Sequence, residues 1–577
     1  MNNIFEDLTL VQKPARYIGE EWNIVKKNWN KTELKILLCY PDLYEIGMSN
    51  QAILLLYELL NSSNDVLAER CFTPWLDFEK FLREKKMPLY SLETKTPLNQ
   101  FDVIGFTLQH ELNYTNILTV LDLGRLKIWQ RERDENHPLI MGGGPCTLNP
   151  EPVADFFDFF IVGEVEEVIW EIIEKVKKWK RKKISRIRLL EELVELDCVY
   201  VPCLYSVYRN KWGYIVPEMD RQVKKVHVKD LNSITFPLKP VVPYIQTVHD
   251  RINLEIMRGC PRSCRFCQAR IYYSPWRVRT VENSVKIAVT SYKNTGYEEI
   301  CLSSLSTGDY PYLEELVFRL QEKLYHRYVF ISLPSLWADD KLISILERFL
   351  QTKRPGLTFA PEVSSLRMKR VVSKYVQEEK LIEIIQYALN HGWKQTKLYY
   401  MLGLPGLSLE DLRLLPEFIY QILGLSTRRK PRVKLSFATF IPKPHTQLQW
   451  AGLAPKSKIN EQIEFLKKKL NHPRIDWEFR SYEFSLLEAI FARGDRSLSS
   501  VIYQGWLNGA RFDSWSKEFN PDIWYNAFEN MGVDYTIFIQ PRWEKEIIFP
   551  WEHIECGVDK GKNWAGFLMA LKNGGVI

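Results

Sequence analysis

From residue 252 to 440 the chain repeats one pattern: a short apolar run followed by a stretch with helical character. The strand-like runs are INLEIM (252–257), EICLSS (299–304), YVFISL (328–333), LTFAP (357–361), KLYYML (397–402) and VKLSFATF (433–440). VENSVKIAVTSYKNTG and QEEKLIEIIQYALNHG are two of the intervening helices, the second stopping at Gly392 because glycine tolerates the left-handed backbone that ends a helix. Six βα units are too few for a closed eight-stranded barrel and suit a partial (βα)6 barrel. Chemistry in such folds sits in the loops at the C-terminal ends of the strands.

The first of those loops holds RGCPRSCRFCQ, residues 258–268. Cys260, Cys264 and Cys267 form the one dense group among ten cysteines; Cys39, Cys71, Cys146, Cys198, Cys203, Cys301 and Cys556 are scattered. No segment approaches the ~18 consecutive apolar residues of a membrane span, and MNNIFEDLTL lacks the basic start and apolar stretch of a secretory signal. Cytoplasm is the expected compartment. There a tight cysteine group points to metal or catalysis rather than to a disulfide framework. Structural zinc wants four ligands, usually in two separated pairs, and no histidine lies near enough to complete the set. Three thiolates on one loop suit a [4Fe–4S] cluster with one iron left open for a ligand.

At 577 residues the chain should fold as several domains. Residues 1–33 read as an extension. Residues 34–175 alternate strand and helix (LKILLCYPD, QAILLLYELLNS, FDVIGFTLQ, HPLIMGGGP, FFDFFIVGEVEEVIWEIIEKVKKW) and suggest an α/β, doubly wound, Rossmann-like parallel sheet. Residues 176–250 read as a basic linker followed by a hairpin, YVPCLYSVYRNKWGYIVP. The barrel occupies 251–456, and 457–577 form a helical, Trp- and Arg-rich accessory region. Net charge is only +7, but Lys175–Arg188 carries nine basic residues in fourteen. That run is either a solvated helix end or an RNA contact; DNA binding is not expected.

The spacing C-x3-C-x2-C, with Phe266 before the last cysteine, resembles the radical S-adenosylmethionine (SAM) family, and its place after the first strand of a βα series is the expected context. The resemblance implies an enzyme. The three cysteines would hold a [4Fe–4S] cluster whose open iron chelates SAM, and an electron from the cluster would split SAM into methionine and a 5′-deoxyadenosyl radical. It also implies an external reductant such as flavodoxin or ferredoxin. In SLSTGDY, Ser306, Thr307 and Asp309 correspond to the motif that holds the SAM amino group, although this sequence departs from the usual Gly-Gly-Glu form. In APEVSSLR, Glu362 and Ser365 correspond to ribose or carboxylate contacts, and in GLPG, Gly403 and Pro405 to the backbone that meets adenine. Read from the residues alone, the serines could be helix caps, Glu362 a salt-bridged carboxylate and the glycines a turn.

Over nearly its whole length the chain is similar to a family that joins an N-terminal cobalamin-binding-type domain to a radical SAM core. VQKPARYIGEEWN, YPDLYEIGMSN, LNPEPVADFFD, FIPKPHTQLQW and FARGDRSL carry that likeness. Many cobalamin domains have D-x-H-x-x-G after their first strand; here Asp42 and Gly47 keep the spacing and Tyr44 replaces the histidine. Phenol is a poor cobalt ligand, so the implied cobalamin has no histidine lower ligand. Thr107 and Gly142, Gly143 and Gly144 correspond to contacts along the nucleotide tail. The leading expectation is therefore a radical SAM enzyme, cobalamin-dependent and transferring a methyl group to an unknown substrate. Two alternatives stand beside it. One is a cobalamin-independent enzyme that modifies RNA or ribosomal protein, similar to the methylthiotransferases, with Lys175–Arg188 as the RNA contact. The other is a non-enzymatic sensor that binds cluster or corrinoid. Cys146, Cys198, Cys203 and Cys301 read as core thiols, His445 as a loop histidine with a structural hydrogen bond, and Arg493–Arg496 as a helix end.

Overall fold

The computed structural model describes residues 8–219, 221–334, 336–338, 341–348, 356–425 and 430–577. The first seven residues of the expected extension lie outside them. The first sheet runs β1 (Leu34–Tyr40), β2 (Val66–Phe72), β3 (Val103–Thr107), β4 (Leu139–Gly143), β5 (Phe159–Ile161) and β6 (Val199–Tyr200). The spatial order is β2-β1-β3-β4-β5-β6, parallel except for β6 at the edge. Both β6 and the helix Arg186–Leu193 come from the stretch read as a connector. Next come the expected hairpin, β7 (Val207–Arg209) with β8 (Ile215–Pro217), and β9 (Val223–Lys224).

Strand order explains a gap in this domain. Alternate strand residues feed two cores, one on each face. The helices after β2 and β3, Leu76–Glu84 and Tyr114–Leu123, cover one face. The helices after β1 and β5, Gln51–Asn61 and Ile169–Lys182, pack on the other. β4 is followed only by 3-10 turns, Pro145–Leu148 and Glu151–Phe156. The middle of the second face, over β3 and β4, is left without a helix of its own, and Gly105 and Met141 face it. Order reversal beside β1 is where open α/β sheets bind ligands.

The second half holds β10 (Ile252–Glu255), β11 (Met257–Arg258), β12 (Arg277–Val278), β13 (Glu299–Ser303), β14 (Phe330–Ser332), β15 (Leu357–Glu362), β16 (Thr396–Leu402), β17 (Val433–Thr439) and β18 (Ile475–Phe479). All six expected strands form, in two parallel sheets, β10-β13-β14 and β15-β16-β17-β18. Among the described residues no ladder joins β14 to β15, and the strands form two separate sheets. β18 corrects the reading of a purely helical C-terminal region: it extends the second sheet, and its mostly solvent-facing residues hid it. β19 (Ile554–Glu555) likewise pairs with β9. Among the described residues no helix is long and apolar enough to cross a membrane.

One ammonium ties the halves together. Lys443, in the loop after β17, lies 2.7 Å from Glu111 of the first domain and 3.0 Å from Glu488 of the helix Tyr482–Arg493. Around it, Asn149 donates to the carbonyls of Ala492 and Gly494, Arg496 pairs with Glu151, and Trp506 donates to Thr119. Lys443→Met leaves both buried carboxylates without this partner and should destabilise the chain by about 3 kcal/mol. Lys26→Met, in the exposed pair with Glu20, should cost less than ~1 kcal/mol; denaturant unfolding of both variants checks the contrast.

Candidate functional site: the cysteine loop and the cavity beside it

β11 and β12 pair antiparallel and close the base of a loop that carries all three cysteines. Gly259 opens the loop at φ 83°, and a Cβ there would meet the carbonyl oxygens of Pro275 and Tyr273 at 2.7 and 2.8 Å; only glycine makes that turn. The middle of the loop is pinned from outside. The Arg265 N–H donates to the Val372 carbonyl at 3.0 Å, and the hydroxyls of Ser263 and Ser373 lie 3.3 Å apart. Cys260, Cys264 and Cys267 are half-buried free thiols. Burial raises all three, Cys264 to about 11, with Lys374 opposing the rise at Cys264 and Cys267. A cation that binds them displaces those protons.

The donor set fits an iron–sulfur cluster better than a single ion. Zinc bonds of about 2.3 Å would hold sulfurs roughly 4 Å apart. Among the described residues, the one trio of His, Cys, Asp or Glu ligand atoms lying mutually within 4.8 Å is His110, Glu111 and Glu488, and Lys443 already supplies positive charge there.

The neighbouring strand ends reach the loop unevenly. Asp309 makes a two-pronged ion pair with Arg262, between Cys260 and Cys264, and also accepts from Ser306 at 2.6 Å. Thr307 is buried and donates inward to the Leu302 carbonyl. Glu362, at the end of β15, pairs with Lys374 at 2.9 Å; burial raises its carboxyl and Lys374 opposes the rise. Ser365 caps the helix Leu366–Val372 and donates to Asp411. Gly403 (φ 72°) faces Ile459 and Ala454 and donates to Gln462, while the Pro405–Gly406 backbone packs on Gly574. Phe266 packs on the core from a half-buried position. Thus Ser306, Asp309 and Glu362 gather by ion-pair partners at the cysteine loop, and Ser365 and Gly403 have structural partners. Arg262, Lys374 and Trp337, whose ring lies 4.0 Å from the Arg262 guanidinium, were not identified from the sequence.

The gap over β3 and β4 is a cavity enclosing about 1140 Å³ with the solvent at its open mouth included. Thr107, Gly142, Gly143 and Gly144 line it, between Leu55 on one wall and Ile169 on the other. A Cβ on Gly143 would meet nothing within 4 Å, whereas Gly144 sits at φ 114° against the Leu108 backbone. The remaining wall comes from the second half: Glu255, Arg258, Tyr272 and Tyr273. Arg258 precedes Cys260 by two residues and ties Glu255 to Glu164 and Glu166. Tyr272, in the helix that starts after Cys267, donates to the Gly163 carbonyl. Cavity and cysteine loop therefore share a wall. An apolar cradle with bare glycine backbone fits a bulky flat ligand with a long tail.

Three expected residues stand away from this cavity. Asp42 accepts from Trp515 at 2.9 Å. Tyr44 donates to Glu21 within the buried Glu21–Arg70–Glu93 network. A Cβ on Gly47 would strike the Phe72 ring at 2.2 Å. The D-x-Y-x-x-G stretch is thus built into packing. Six of the nine basic residues in Lys175–Arg188 are ion-paired, among them Lys180 with Asp102 and Arg186 with Asp158. His445 is buried and bonds the Leu148 carbonyl. Arg493 bonds the carbonyls of Phe538, Pro442 and Gln449. Cys146, Cys198 and Cys301 are buried, but Cys203 is exposed, at the turn Pro202–Leu204 beyond the sheet edge. Gly144→Ala should cost about 1–3 kcal/mol through backbone strain, and Gly143→Ala less than ~1 kcal/mol; chemical denaturation reads both.

Residues 52–202 match the model of radical SAM proteins, N-terminal, and residues 254–419 that of the radical SAM superfamily. Uncharacterized protein MJ0966 of Methanocaldococcus jannaschii is 28% identical over 512 residues, covering 87% of this chain and 98% of that protein. The radical SAM methyltransferase TsrM of Kitasatospora setae, solved with cobalamin and a [4Fe–4S] cluster bound, aligns with a TM-score of 0.51 at 12% identity. That alignment covers 86% of this chain and 99% of TsrM. The cobalamin-dependent radical enzyme OxsB aligns less well, at TM-score 0.43 and 14% identity, over 75% of this chain and 56% of OxsB. At such identities the likeness to TsrM is one of fold. With its N-terminal and core regions both matched, and its three cysteines in the first loop of the core, the chain carries a radical SAM core domain preceded by the N-terminal domain of radical SAM proteins.

Proposed function

We propose that the chain is a cobalamin-dependent radical SAM enzyme that transfers a methyl group. The observation that carries the reading is the shared wall: a cavity lined by Thr107 and Gly142–Gly144 is closed by Arg258, Tyr272 and Tyr273, which bracket the cysteine loop. A corrinoid in that cavity would stand beside a cluster on Cys260, Cys264 and Cys267, the arrangement a transfer between two cofactors needs. When bound, the cluster supplies the electron for SAM cleavage and the corrinoid a route for the methyl group. The protein's part is positional. The β11–β12 ribbon and the Val372 carbonyl hold the cysteine loop, and Ser306, Asp309 and Glu362 present polar groups at the neighbouring strand ends. Tyr44, the residue at the usual histidine position, is committed to Glu21, which supports a corrinoid without a histidine ligand. A flavodoxin- or ferredoxin-like reductant would deliver the electron. The ion pairs along Lys175–Arg188 leave the RNA-contact reading with less support.

Anaerobic purification from cells supplied with cobalamin, with iron, sulfide and cobalt measured on one sample, tests the reading. About four irons per chain are expected, lost in the Cys260→Ala/Cys264→Ala/Cys267→Ala variant, with near-stoichiometric corrinoid. Gly143→Leu should exclude the corrinoid while iron stays. Iron without cobalt in the wild type refutes the cobalamin part; iron unchanged in the triple variant refutes the cluster assignment.

A further inference from the structure

Two backbone irregularities aim one carboxylate at the cysteine loop. β15 and β16 slip register between Phe359 and Glu362, and Glu362 takes φ 68°, a left-handed conformation that a non-glycine residue holds only where surrounding structure imposes it. A bulge of this kind re-aims a side chain. The result is a largely buried ion pair, Lys374 Nζ to Glu362 Oε1 at 2.9 Å. Lys374 also lies 5.8 Å from the Trp337 ring that stacks with Arg262. It follows Ser373, whose hydroxyl lies 3.3 Å from that of Ser263, and Val372, whose carbonyl takes the Arg265 N–H. The ion pair and the cysteine loop are therefore joined through residues 372–374.

We propose that the Lys374–Glu362 pair sets the reduction potential of the cluster held by these cysteines, Lys374 favouring the added electron and Glu362 opposing it. This rests on the cluster reading above. The physics is that of a charge in a low-dielectric surround. Reduction adds one negative charge to the site, which a nearby cation stabilises and a nearby anion destabilises. Because the pair is neutral as a whole, removing either member leaves a field of one sign, and the two removals act in opposite directions. A purely structural role would instead perturb the site in the same sense whichever member is lost.

The test is an anaerobic redox titration, followed by electron paramagnetic resonance, of the SAM-free reconstituted protein. Lys374→Met should lower the potential and Glu362→Gln should raise it. Each should change the reduced-to-oxidised ratio at a fixed potential by about tenfold, or 59 mV for one electron. The double variant should return toward the wild type, and Lys374→Arg should match it. Shifts of the same sign in Lys374→Met and Glu362→Gln, or unshifted potentials in both, overturn the proposal. Should Lys374→Met fail to hold a cluster, the rise in Glu362→Gln against an unmoved Lys374→Arg decides it. A wild-type protein that takes up no iron overturns the cluster reading, and this inference with it.

Discussion

Lys443 occupies the place where three parts of the chain meet: the loop after β3, the loop after β17 and the helix Tyr482–Arg493. Two carboxylates removed from water are costly unless a cation lies between them, and a cation so placed is equally costly without them. Each partner therefore demands the others, and the demand is geometric, since the charges must lie about 3 Å apart. The consequence is orientation. The C-terminal ends of the first sheet and of the barrel strands are brought to one junction, so the loops at both sets of strand ends face a common space. Residues 482–577 reinforce this through Arg496, Trp506 and Trp515, each bonded to a residue of the first domain.

Within that frame the cavity is a product of omission. β4 has no long helix after it, and Gly105 and Gly142–Gly144 put no side chain above the sheet. Flanking helices cannot close over the gap because their apolar stripes are already committed to β1 and β5. What does close it belongs to the other domain, and there Arg258 satisfies three carboxylates at once, Glu164, Glu166 and Glu255. A burial of that density has little tolerance for sliding, so the cysteine loop inherits the precision of the domain interface.

The fold was largely legible in the sequence. Strand–helix alternation fixed the doubly wound sheet and all six expected barrel strands, because buried parallel strands read as continuous apolar runs. β18 was not legible, since its residues point mostly to solvent and IDWEF lacks such a run. The cysteine spacing singled out the loop that β11 and β12 close at its base, and the glycines of HPLIMGGGP proved to line the cavity. Asp42, Tyr44 and Gly47 kept a ligand motif's spacing while serving Trp515, Glu21 and Phe72; spacing alone cannot tell a pocket from a packed corner. Lys374 escaped notice for the reverse reason. A single lysine in VVSKY has no pattern, and its meaning comes from the return of the chain to within 3 Å of Glu362.

The cavity's composite wall also imposes an order of events on synthesis. The sheet, the glycine loop and the helices Gln51–Asn61 and Ile169–Lys182 all precede residue 200, whereas the wall of Glu255, Arg258, Tyr272 and Tyr273 emerges from the ribosome later. Until then the nascent first domain presents the cradle with one side missing. A first domain that folded before those residues arrive would offer a bulky ligand a wider entry than the finished chain does.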